Sequence, residues 1–174
     1  MTAEADPALE GPYNVVLLVE QALTPADAAQ VQSLHEALDD VHYHVLLPME
    51  DAAGRIEAAM GSLAGGEALA SPAMVIDQAE IEAVRRDCHD RSQSALDQTL
   101  QRLRDVGADV EGQLITGHPV DALAETLSTI DGQEAIILTR PHVVAEFFHV
   151  DWTSQARRKL GVPVLHLLEH DESD

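Results

Sequence analysis

Aromatic residues make up 3% of the 174-residue chain, and Tyr13, Tyr43, Phe147, Phe148 and Trp152 are all of them. A core with so few rings rests on Leu, Val, Ile and Ala, which suits packed helix and sheet layers better than an aromatic-lined barrel. Cationic side chains are scarce as well. Ten Lys and Arg stand against 31 Asp and Glu, a formal net charge of −21. The mean field therefore repels phosphate backbones and anionic membrane surfaces, and neither nucleic acid nor a membrane is an expected partner. The single cysteine, Cys88, excludes an internal disulfide and every zinc site built on two or more thiolates, and it fits a reducing compartment. No apolar run approaches the roughly 20 residues of a membrane span, and residues 1–11 are acidic where a signal peptide is basic and then apolar. Walker, G-x-G-x-x-G and G-x-S-x-G motifs are absent. A cytoplasmic protein without an evident nucleophile is the expectation.

What remains is an aliphatic chain of single-domain length, 45% hydrophobic. Asn14 to Val19 is a continuous apolar, β-branched run, the mark of a strand covered on both faces. Thr24-Pro25-Ala26-Asp27 supplies an N-cap hydroxyl, a first-turn proline and an early carboxylate. Val31, Leu34, His35 and Leu38 then follow at helical spacing and predict about four turns. Tyr43 to Leu47 is a second short strand. Residues 49–80, broken by Gly54, Gly61, Gly65, Gly66 and Pro72, read as a loop with one short helix. From Ile81 a long amphipathic helix sets Val84, Cys88, Ala95, Leu96, Leu100, Leu103 and Val106 on one face and ends near Gly107. A strand at Val110 to Ile115, a helix at Pro119 to Ile130, a strand at Glu134 to Thr139, a helix at Asp151 to Leu160 and a strand at Val164 to Leu168 complete the chain. Such alternation predicts an α/β fold, a five-stranded parallel doubly wound sheet whose ligand site lies at the carboxyl ends of the strands.

Gly117-His118-Pro119, Glu134-Ala135-Ile136-Ile137-Leu138 and Val162-Pro163-Val164-Leu165, in this order and spacing, resemble the universal stress protein family. Val19-Glu20 falls where its members usually carry valine and aspartate. The resemblance spans about Pro12 to Leu168. It implies the adenine-nucleotide alpha-hydrolase-like arrangement of that family, a homodimer, a cytoplasmic location and a part in stress response. On this reading residues 1–11 are a disordered N-terminal segment, 12–170 the domain with an insertion at about 49–80, and 171–174 an acidic tail.

The ATP-binding members of the family share a loop of form G-x-x-G, nine residues, then G and Ser or Thr, after the fourth strand. Phosphates cradled by main-chain N–H groups need close backbone approach and positive φ, which glycine permits. Laid on this sequence, the pattern falls on Thr139, His142, Trp152 and Thr153. The spacing and final hydroxyl are kept, but all three glycines are replaced and Pro141 removes a further N–H. ATP in the usual mode is therefore not expected, and no cofactor is assigned. Glu20, Thr139, His142, Trp152 and Thr153 mark a remnant nucleotide site. Phe147, Phe148 and Trp152 either fill the vacated cleft or line a remodelled pocket for a different small molecule, with Arg140, His142 and His149 as polar contacts.

The nine histidines open a third possibility, a histidine-based metal enzyme. His42 and His44 share a strand face and, with Asp39 or Asp40, make two imidazoles and one carboxylate; His149 and Asp151 have the same spacing. Neither pair shows a full ligand set, so no metal is assigned. Cys88 lies within an apolar helix face, the place of a small buried hydrophobe. The last strand, Val164, Leu165, His166, Leu167 and Leu168, is an aggregation risk if left bare, and pairing across a two-fold axis is its natural cover, with His166 facing its copy.

Overall fold

The computed structural model describes residues 11–54, 56, 77–140 and 158–170. Its strands are β1 (Tyr13–Val19), β2 (Val41–Pro48), β3 (Asp109–Ile115), β4 (Glu134–Thr139) and β5 (Val164–Leu168), with helices α1 (Pro25–Ser33), α2 (Gln78–Asp105) and α3 (Pro119–Ile130). All four strand pairings are parallel, in the order β3-β2-β1-β4-β5. This is the doubly wound sheet expected from the sequence.

The central strands are apolar throughout because alternate side chains enter two different cores. Val15, Leu17 and Val19 join Val45, Leu47, Ile136 and Leu138 beneath α1 and α2, which contribute Ala28, Val31, Leu96 and Leu103. Val16 and Leu18 join Leu46, Ala135 and Ile137 on the other face, packed by Leu123 and Leu127 of α3. At Gly112 of β3 an added Cβ would stand 3.0 Å from Leu96, Leu100 and Val45. Glycine there lets α2 lie close against the sheet.

The first helix is shorter than its spacing predicts. Thr24 and Asp27 form a reciprocal capping box, but beyond Ser33 the chain tightens into three-residue turns, with Leu34 N–H bonded to Val31 O and His35 N–H to Gln32 O. These turns leave Leu34 and Leu38 exposed and bring His35 inward. Its ring lies 2.8 Å from the Tyr43 hydroxyl and 3.1 Å from Glu134, which also accepts a bond from Tyr13. Burial, then the Glu134 charge, pushes the Tyr43 phenol up to about 12. Both described tyrosines thus serve one polar network at the amino ends of β1, β2 and β4.

The apolar face of α2 also carries two buried hydroxyls that hydrophobic periodicity does not reveal. Thr99 Oγ1 accepts the Leu23 N–H at 3.1 Å, while Arg102 donates to Leu23 O. Ser92 Oγ accepts the Glu50 N–H at 2.9 Å. The helix thereby fixes the chain where it leaves β1 and β2. No described helix is long and apolar enough to cross a membrane. The expected last helix lies mostly outside the described residues, as does most of the 49–80 segment.

Candidate functional site

In an open parallel sheet, ligands bind at the carboxyl ends of the strands where the strand order reverses. Here that point lies between β1 and β4, since the chain runs outward from β1 through β2 to β3 and then returns to β4 on the other side of β1. Glu20 follows β1 and Arg140 follows β4. Glu20 Oε2 accepts the Arg140 N–H at 3.2 Å, so the ends of the neighbouring strands β1 and β4 are joined by the carboxylate that the resemblance assigned to the remnant nucleotide site. Thr139 is buried, with its hydroxyl 2.8 Å from His166 Nε2. His142, Trp152 and Thr153 lie outside the described residues, as do Phe147, Phe148, His149 and Asp151.

Two further carboxylates gather here that sequence reasoning did not place at the site: Asp27, read only as part of a helix start, and Glu169. Asp27, 1% exposed, takes four hydrogen bonds. Its Oδ2 accepts from the Thr24 N–H (3.0 Å) and hydroxyl (2.8 Å), and its Oδ1 from the His170 N–H (2.9 Å) and Nδ1 (2.7 Å). Burial acts to raise the Asp27 pKa, but these bonds prevail and hold it below the ordinary 3.8. Glu169, 5% exposed, goes the other way. Burial drives its carboxyl up to about 7; the Gln21 side chain and Arg140 oppose the rise, and the charges of Glu20 and Asp27 add to it. The capping-box spacing of Thr24 and Asp27 is legible in the sequence; their junction with His170, 143 residues away, is not.

A second group of ionisable side chains lies toward the amino end of β2, on the sheet face that α3 packs, beyond the part α3 covers among the described residues. His42 and His44 do share a face, as their spacing predicts. Their carboxylates, however, are Asp109 and Glu111 of β3, rather than Asp39 or Asp40, because the parallel register sets His42 beside Asp109 and His44 beside Glu111. His42 Nδ1 lies 2.7 Å from Asp109 Oδ2, and His44 Nδ1 2.8 Å from Glu111 Oε1. Burial, followed by the neighbouring His42, holds the His44 pKa below 6.5 against the pull of Glu111 and Asp109. The repeated x-by-two spacing, His42-x-His44 and Asp109-x-Glu111, was visible in the sequence, but not the register that matches the two. An open groove of about 620 Å³ adjoins it, bordered by His44, Glu111 and Gln113 and by Glu125 and Thr129 of α3.

No family model and no curated protein matches the chain. Solved structures do. A hypothetical protein whose biochemical function was assigned from its structure, in a structural-genomics test case, superposes with a TM-score of 0.58 at 13% identity, over 92% of this chain and 99% of that one. A universal stress family protein from Arabidopsis thaliana with AMP bound gives 0.52 at 13% identity, over 91% and 94%. A universal stress protein in complex with cAMP gives 0.52 at 14% identity, over 92% and 100%. The fold is that of the universal stress proteins, as the resemblance implied.

Proposed function

We propose that this chain is a universal-stress-protein-like binding and regulatory module of the cytoplasm, acting in stress response without taking ATP in the family's usual mode and without catalysing a reaction. The observation that carries this reading is the gathering of Glu20, Asp27 and Glu169 at the strand-end crevice. A triphosphate would enter a field of carboxylates in which one, Glu169, is already driven up to about 7. The loss of all three glycines between Thr139 and Thr153 removes the backbone cradle as well. Less charged ligands meet a smaller barrier, and the AMP and cAMP held by two of the structural neighbours favour a second reading, a small nucleotide in a remodelled cleft.

Thermal unfolding of the purified chain with ATP and Mg²⁺, with AMP and with cAMP separates these. No rise with ATP is expected. A ligand present at about 100 times its Kd adds roughly 2.7 kcal/mol, so a rise of several degrees with AMP or cAMP alone would establish the second reading. The same rise with ATP would overturn the first.

Assembly follows from the sheet edge. β5 pairs with β4 on one side, and Leu168 at its end is 49% exposed. A homodimer through Val164, Leu165, His166, Leu167 and Leu168 covers that edge. His166 has a partner within the chain in Thr139, so the edge backbone rather than this imidazole is the main joining element. Sedimentation at pH 8 is expected to give twice the 18.8 kDa of the chain; a monomer mass at micromolar protein would remove the proposal.

A further inference from the structure

We propose that His42, His44 and Glu111 form a binding site for one divalent transition-metal ion of the zinc type, on the sheet face beside α3 and toward the opposite strand end from the crevice. The three offer one ligand atom each, all within 4.8 Å of one another. His42 Nε2 lies 3.9 Å and His44 Nδ1 2.8 Å from Glu111 Oε1. Tetrahedral zinc with bonds of about 2.0–2.1 Å separates its ligand atoms by roughly 3.3 Å, so the two distances bracket the value required.

The remaining polar atoms turn this proximity into a built site. Asn14 Nδ2 donates to Ile130 O at 3.1 Å, which fixes the amide and leaves Oδ1 as the acceptor facing His44 Nε2 at 3.4 Å. The proton of a neutral His44 therefore belongs on Nε2, and its Nδ1 lone pair points at Glu111. Asp109 Oδ2 in the same way claims the Nδ1 proton of His42, leaving Nε2 as a lone pair. Each imidazole is thus held by an acceptor on its outer nitrogen, the arrangement that orients metal-bound histidines. Three lone pairs converge with no proton assigned to the space between them. Imidazole and carboxylate donors suit zinc, cobalt and nickel better than calcium or magnesium. Glu111 is 66% exposed on its side chain, which leaves a fourth position open to water and to the adjoining groove. The overall charge of −21 favours cation approach.

The test is calorimetric titration of Zn²⁺ into the chelator-stripped full-length chain, with Co²⁺ absorption as a second readout. Expected are one saturable equivalent and a four-coordinate Co²⁺ spectrum. His44→Ala and Glu111→Gln should each abolish the saturable step. Asp109→Asn, whose side chain bonds the outer nitrogen of His42, should weaken it about 10-fold or more. His89→Ala, on the exposed side of α2, should leave it unchanged. Because Glu111 is exposed, its variant remains folded even if the histidine variant does not. Absence of a saturable equivalent, or Zn²⁺ uptake of equal affinity in the wild type and in Glu111→Gln, would overturn the proposal by placing any bound metal on the other carboxylates.

Discussion

Glu169→Gln is expected to raise the melting temperature at pH 8 by roughly 5–10 °C. The carboxyl sits at about 7 in the folded chain against an ordinary 4.5, and each pKa unit corresponds to about 1.4 kcal/mol, so its ionisation costs the fold about 3 kcal/mol above pH 7. The sign follows from proton uptake. Between pH 7 and 4.5 the folded state binds the proton more tightly than the unfolded one, so the penalty fades as the pH falls and is gone below 4.5. Glutamine keeps the shape, carries no charge, and turns an amide toward Glu20 and Asp27. Scanning both proteins at pH 8, 6 and 4.5 checks this. A variant no more stable at pH 8, or one whose advantage persists unchanged at pH 4.5, would show that burial at the crevice does not penalise this carboxylate. The same experiment bears on the proposed function, in which a crevice that strains its own acids disfavours a triphosphate.

Asp27→Ala should be destabilising by about 3–5 kcal/mol, since it strands the buried N–H of Thr24, takes the acceptor from the His170 N–H and removes the capping box of α1. The exposed Asp97, which accepts one bond from Gln93, is the control; its alanine variant should lie within about 0.5 kcal/mol of the wild type. The pH dependence runs opposite to that of Glu169. A lowered pKa means that the Asp27 contribution is present above 3.8 and is lost as the pH falls through the folded value. Urea unfolding at pH 7 and pH 3 is therefore expected to show a wide gap between wild type and variant at pH 7 and a narrower one at pH 3. Equal gaps at both would indicate that the charge of Asp27 contributes nothing beyond shape.

The elements most legible in the sequence are those whose ends carry local chemistry. Pro119 starts α3 and Gly132 follows its end, so its bounds agree with the sequence reading, as do those of β4 and β5. Helix α1 is the counter-example. Leu34 and Leu38 have helical spacing, yet the chain leaves the helix at Ser33 because His35 has partners in Tyr43 and Glu134 that only the assembled sheet supplies. The buried hydroxyls of Ser92 and Thr99 were invisible for a related reason: their value lies in the Glu50 and Leu23 N–H groups they receive.

Composition and periodicity alone determined the parallel α/β architecture, because a strand buried on both faces must be apolar along its length, and alternation with amphipathic helices leaves few other ways to cover it. The excess of negative charge, and the absence of glycine at Thr139, His142 and Trp152 where the resemblance expects it, are likewise read from the sequence alone. Tertiary structure decided which ionisable groups meet. Asp27 and His170 are 143 residues apart, and His42 and Asp109 are 67 apart. No local preference encodes those distances; they are set by strand order and register, which emerge only when the two cores pack on either side of the sheet.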